Sequence, residues 1–186
     1  KFIEYKISQK GINIIDPEKG EIKLGSFIVQ AFRVTHSVPD SVGFCITTPV
    51  GQVFHVSDYK FDFTPIDRQP FDISRAAKLT NGEVLALASD SLGATSEGYT
   101  KSELEVEKTI GAIIEEAKSQ VFFTTISSNI SRMQQAISAS KISGRKVVLL
   151  GRSVETKAEI AKSLGHINFE DNVIPQKEAK GLPPNI

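Results

Sequence analysis

Only one of the 186 residues is a cysteine, Cys45. A lone thiol excludes an internal disulfide, and its place inside the apolar run 42–47 suits a reducing, cytoplasmic setting. Net charge is also missing, because 22 Lys and Arg balance 22 Asp and Glu. No overall field therefore steers the chain toward nucleic acid or a membrane surface, although a local basic patch stays compatible with neutrality. No apolar stretch approaches the roughly 20 residues that a membrane span needs. No signal-peptide pattern opens the chain either, so no membrane partner is expected. The first residue is Lys1 rather than Met, which leaves the natural start open. Histidine is scarce: His36, His55 and His166 are the three. There is no internal repeat and no low-complexity segment.

What is present falls into two unlike halves. Residues 27–34 alternate, with Phe27, Val29 and Ala31 on one face and Ile28, Phe32 and Val34 largely on the other. The runs 42–47 and 52–56 flank Pro49-Val50-Gly51 and predict a hairpin. A loop containing Pro65 and Pro70 follows. From about Glu83 the pattern becomes strand then helix. Residues 84–88 are continuously apolar and end in Ser89-Asp90-Ser91. Thr100 with Glu103 predicts a capping box for a helix that buries Val106, Ile110, Ile113 and Ala117. Residues 121–126 predict a strand, and Ser127-Ser128-Asn129 then opens a helix burying Ile130, Met133 and Ile137. Residues 147–150 predict a further strand. Gly151-Arg152-Ser153 opens a helix burying Val154, Ala158 and Ala161, and Gly165 stops it. Such alternation implies a mostly parallel sheet covered by helices.

Three polar clusters end apolar runs: Ser89-Asp90-Ser91, Ser127-Ser128-Asn129 and Gly151-Arg152-Ser153. Ligands of open α/β sheets bind at that edge. The last two also begin helices, where free N–H groups and the helix dipole favour an anion, and Arg132 and Arg152 stand beside them. Plain helix capping accounts for the same Ser and Asn residues. In the first half, His36 and Asp58 each sit on a loop leaving a strand, a placement that serves a metal ligand or a structural turn residue. His55 reads as a structural strand histidine, and His166, after the helix stop, as solvated.

The run Val34-Thr35-His36-Ser37-Val38-Pro39-Asp40-Ser41-Val42-Gly43 combines with Asp58-Tyr59-Lys60-Phe61-Asp62 and Ser89-Asp90-Ser91. Farther on come Ser128-Asn129-Ile130-Ser131-Arg132-Met133-Gln134-Gln135 and Gly151-Arg152-Ser153 in the same order. Together they resemble the metallo-β-lactamase superfamily, in its RNA-processing branch with an inserted β-CASP lobe, and specifically the ribonuclease J family. The resemblance runs from roughly Ile22 to the C-terminal tail, a domain-length match. It implies an α/β fold: part of a metallo-β-lactamase αββα sandwich over residues 1–95, then part of a β-CASP-like parallel β/α lobe over 96–186.

The resemblance also implies roles. His36 becomes a metal ligand, and Asp58 a carboxylate bridging two divalent metals, zinc or alternatively manganese. Asp90 becomes an acid that supports the site and shares in proton transfer. Asp58 and Asp90 are thus the catalytic candidates. Ser128, Asn129, Arg132, Arg152 and Ser153 are the expected RNA-phosphate contacts, and Asp40 is expected to orient a ligand from behind. The implied chemistry is two-metal phosphodiester hydrolysis of single-stranded RNA, endonucleolytic and 5′-to-3′ exonucleolytic. A homo-oligomer is compatible with it.

The sequence departs from the family at several places. The principal motif His-x-His-x-Asp-His and the C-terminal β-CASP histidine motifs are absent. Ser57 stands where the family usually has Gly, Leu92-Gly93 where it has Thr-Asn, and Ser131 where His is common. Since a catalytic zinc takes about three protein ligands besides water, His36 and Asp58 alone predict an inactive chain with no firmly bound metal. Two other function classes remain. One is a non-catalytic module binding RNA or nucleotide phosphates, for which the Phe residues, mostly in strand interiors, offer few stacking platforms. The other is a metallo-β-lactamase-fold hydrolase of a small ester or thioester, against which the β/α insertion argues by analogy.

Overall fold

The computed structural model describes residue 8 and residues 10–186. Its contacts divide the chain into two compact units that interleave in sequence. The first is Lys1–Arg33, Val42–Ser57 and Asp72–Asp90; the second is Val34–Ser41, Asp58–Phe71 and Ser91–Ile186.

The first unit is one five-stranded sheet with one helix. Strands β1 (Glu21–Leu24), β2 (Phe27–Arg33), β3 (Val42–Thr48), β4 (Gly51–Ser57) and β5 (Val84–Ser89) lie in the order β1-β2-β3-β4-β5. The first three pairings are antiparallel, and β4 with β5 is parallel. The expected hairpin is present: Thr48 pairs with Gly51 across Pro49-Val50. Period-2 alternation puts Ala31, Cys45 and Phe54 into the core, and Phe32 stacks obliquely on Phe54 with ring centroids 6.0 Å apart. Burying each such large side chain is worth about 1.5–3 kcal/mol. Gly43 is required by that packing, since a Cβ there would lie 2.4 Å from the Phe32 ring.

Helix α1 (Ile73–Leu79), which the sequence pattern leaves unassigned, is capped by Asp72 accepting from the Arg75 N–H at 2.8 Å. Buried Gln52 ties β4 to its end, donating to the Leu79 carbonyl at 2.9 Å and accepting from the Asn81 N–H at 2.9 Å. His55 lies on an exposed face of β4.

The second unit holds α2 (Glu103–Glu116), α3 (Ile130–Ile142), α4 (Arg152–Ser163) and the short α5 (Gln176–Ala179). Ile130, Met133 and Ile137 pack with Ala158, Ala161, Ile167 and Phe169, as the helical spacing of α3 and α4 predicts. For α2 the inward pair is Ile110 and Ile114, with Ile113 59% exposed, so the expected Ile113 position is corrected by one residue. Its cap is also corrected. Ser102 accepts from the Glu105 N–H, and the Asp62 carboxylate accepts from the Glu103 N–H at 2.8 Å. Helix α4 ends as expected, with Gly165 at φ 81° and the His166 N–H returning to the Ala161 carbonyl at 2.8 Å.

The expected strands 121–126 and 147–150 form no ladder among the described residues. A strand needs a partner whose N–H and C=O groups meet its own. Here the two segments instead line a cleft of about 490 Å³ with Met133, Ile137 and Leu182. Val147 alone makes a parallel bridge, to Val173. The parallel sheet expected of this half is thus reduced to one bridge, and the helices carry its packing. Likewise, the described residues contain one sheet rather than the two faces of a sandwich.

Candidate functional site

Val34–Ser41 links β2 to β3, and 58–71 follows β4. Both segments belong to the second unit, and backbone bonds join them. Lys60 donates its N–H to the Thr35 carbonyl at 2.9 Å, and the Thr35 hydroxyl donates to the Lys60 carbonyl. Thr35 is 5% exposed, so both bonds are sheltered from water. The Asp62 N–H also reaches Thr35 Oγ1, at 3.4 Å. Thr35 immediately precedes His36, and Lys60 lies two residues past Asp58. The stitched backbone therefore brings the two side chains together, with His36 Nε2 4.0 Å from Asp58 Oδ2.

Two metal bonds of about 2.0–2.2 Å span at most about 4.4 Å, and about 3.4 Å at a tetrahedral angle, so this pair lies within reach of one shared divalent cation after a small closure. The Asp58 side chain is 74% exposed and that of His36 31% exposed, which leaves the carboxylate open to further ligands. Among the described residues, no three His, Cys, Asp or Glu side chains converge as a metal-holding group. The pair is a partial donor set.

Around it lies a charged cluster that the sequence pattern does not reveal. Lys60 Nζ is 2.7 Å from Glu103 Oε1 and 3.3 Å from Asp62 Oδ2. Arg132 meets Glu103 Oε2 at 3.2 Å, and Gln135 donates to the Glu103 carbonyl at 2.9 Å. Two cations balance two anions in a largely buried place, where an unpaired charge would be costly. Burial by itself pushes the Asp62 carboxyl up. The N–H groups of Glu103 and Thr64 and the Lys60 ammonium outweigh it and hold the carboxyl below the ordinary 3.8.

The other candidate residues fall in several places. Asp90 follows the last residue of β5 and belongs to the first unit. Asp40, at φ 57°, pairs with His166 Nε2 at 2.9 Å. His166 is accordingly partly buried against Asp40, which corrects the expectation that it is merely solvated. Asn129 caps α3 by accepting from the Arg132 N–H at 2.9 Å, and the Arg132 guanidinium is engaged by Glu103. Ser153 Oγ lies 2.9 Å from Ser127 Oγ, which also accepts from Lys157 Nζ at 2.9 Å. Ser128 sits in the turn before α3, and Arg152 is exposed at the start of α4. The adjacent Gly151, at φ 105°, supplies no side-chain cap.

Residues 118–185 match the family model described as Ribonuclease J, beta-CASP domain. Ribonuclease J of Thermus thermophilus is 40% identical over 157 residues, covering 84% of this chain and 27% of its own length. Over most of its length this chain is similar in sequence to ribonuclease J. Ribonuclease J2 of Bacillus subtilis is 38% identical over 166 residues, covering 89% of this chain and 30% of the relative. The chain thus spans less than a third of the length of these ribonuclease J proteins. Among solved structures, a protein of unknown function from Enterococcus faecalis superposes with a TM-score of 0.65 at 16% identity, covering 95% of this chain and 44% of the other. That likeness concerns the fold alone. Among the described residues no helix is long and apolar enough to cross a membrane.

Proposed function

We propose that these residues are a segment of a metal-dependent, ribonuclease J-like RNA hydrolase. His36 and Asp58 would contribute two donors to a divalent-metal centre, with the β-CASP-like residues beyond 95 on the RNA side. The observation that carries the proposal is the 4.0 Å approach of His36 Nε2 to Asp58 Oδ2 on loops joined through Thr35 and Lys60. Because the matched relatives are about three times as long as this chain, the remaining donors and the rest of the sandwich are assigned to sequence outside these 186 residues.

Bound there, divalent cations such as zinc or manganese supply the charge that holds a phosphodiester and makes a water acidic enough to attack it. The part played by this chain is to hold and orient. His36 presents an imidazole nitrogen, and Asp58 an open carboxylate able to face two ions. Asp90 is proposed as the supporting acid. Exposed Arg152, with Ser153 and Ser128, is proposed to meet RNA phosphates at helix N-termini. Asn129 and Arg132 are proposed to hold that edge in place. Asp40 is proposed to fix its loop through His166.

The test is cleavage of 5′-phosphorylated single-stranded RNA by the product of the full coding sequence containing these residues, with zinc or manganese supplied. His36→Ala and Asp58→Ala should each lower cleavage by at least about 100-fold, in line with removing a catalytic-metal ligand. RNA binding without cleavage in the wild type would favour the non-catalytic module. Cleavage unchanged in both variants would exclude the assigned site.

A further inference from the structure

The Lys60, Asp62, Glu103, Arg132 and Gln135 cluster lies outside the donor pair, yet Lys60 is part of the backbone stitch that sets the pair's spacing. We infer that Glu103 is a positioning residue for the His36–Asp58 pair, acting through Lys60. The inference rests on the reading of that pair as metal donors.

Glu103 is the first residue of α2. Its N–H is held by Asp62, its carbonyl by Gln135, and its carboxylate by Lys60, Arg132 and Gln135 together. One side chain therefore joins three elements of the same unit: the loop carrying Asp58, the start of α2, and the first turns of α3. The Lys60 side chain is 25% exposed and that of Glu103 18% exposed, so water competes only partly for the pair. An ammonium drawn to Glu103 and Asp62 fixes the direction in which residue 60 leaves the chain. Its own N–H then stays on the Thr35 carbonyl, and its carbonyl stays on the Thr35 hydroxyl. Release of Lys60 frees the segment between Asp58 and Asp62 to swing away from His36. The fold would survive, because the helices keep their apolar contacts through Ile110, Ile114 and Ala139. What changes is the spacing of the two donors. The start of the β-CASP-like half thereby takes part in setting the metal loop.

The experiment is NMR on this chain as wild type, Glu103→Gln, Lys60→Met and Lys60→Arg. Two quantities are read: hydrogen exchange at the Lys60 amide, and Mn²⁺-induced line broadening at His36 and Asp58. Exchange at Lys60 should accelerate about tenfold in Glu103→Gln and Lys60→Met, the loss expected of a charge-assisted bond. Lys60→Arg should keep wild-type protection. The amides of Cys45 and Phe54 in the sheet should stay unchanged. The Mn²⁺ concentration needed for half-broadening should rise together at His36 and Asp58 by about threefold or more in the two weakened variants. Unchanged Lys60 exchange in both of these variants overturns the inference. If Glu103→Gln fails to fold, Lys60→Met against Lys60→Arg decides it alone. Absence of broadening at His36 and Asp58 in the wild type contradicts the metal reading instead, while the exchange data still judge the positioning.

Discussion

Thr35 and Lys60 exchange hydrogen bonds in both directions. The Lys60 N–H meets the Thr35 carbonyl at 2.9 Å, and the Thr35 hydroxyl reaches the Lys60 carbonyl. This reciprocal pair, 25 residues apart in sequence, puts His36 and Asp58 within 4.0 Å of each other. The proposed site depends on it more than on any single side chain.

Replacing Thr35 with Val keeps the shape but leaves the partly buried Lys60 carbonyl without its side-chain donor and the Asp62 N–H without its acceptor. Thr35→Val should lower stability by about 1–3 kcal/mol, the cost of an unsatisfied buried group. Thr35→Ser should lose less than half of that. Urea denaturation followed by circular dichroism measures both.

Ser57 ends β4 immediately before Asp58, with φ 66°, a conformation that costs a residue bearing a Cβ about 1–2 kcal/mol. It is the position at which the resembled family usually has glycine. Ser57→Gly should raise stability by roughly 0.5–1 kcal/mol after the entropy cost of glycine, and Ser57→Val should lower it. A shift in urea midpoint with an unchanged slope is the expected signature.

The folded Asp62 carboxyl is held below its ordinary value of 3.8. A carboxyl depressed in the folded state adds stability that is complete above its unfolded pKa, near 4, and is lost as pH falls through the folded value. Stability should therefore decline as pH drops below about 4. Asp62→Asn should be less stable at neutral pH and show a shallower acid limb. Equal acid limbs in wild type and variant would remove Asp62 from the account.

Much of the fold was legible in the sequence because it is encoded locally. The turn at Pro49-Val50 fixes its own hairpin, and the spacing of Ile130, Met133 and Ile137 fixes the buried face of α3. The stop at Gly165 needs only a positive φ. What escaped was decided by distant partners. Residues 121–126 have strand composition, but composition supplies no neighbouring strand. Asp62 reads as a turn residue until α2 presents its Glu103 N–H. Glu103 looked like the far half of a capping box, whereas its carboxylate turns to Lys60 and Arg132. The loop residues His36 and Asp58 were singled out as candidates by family resemblance, while the bonds that set their spacing come from the unremarkable Thr35.

Two donors also set an expectation for the chain by itself. After dialysis against buffer with micromolar zinc, it should retain well under about one ion per chain, because a stable catalytic zinc takes about three protein ligands. Inductively coupled plasma analysis reads this directly. One or two firmly held ions, lost in His36→Ala, would show a donor set larger than the pair.

The most direct test is anomalous diffraction at the zinc or manganese edge from crystals of the full-length protein that contains this sequence, grown with that metal. The account predicts an anomalous peak within about 2.0–2.3 Å of both His36 Nε2 and an Asp58 carboxylate oxygen. Metal peaks elsewhere, with those two side chains free of any ion, would contradict it.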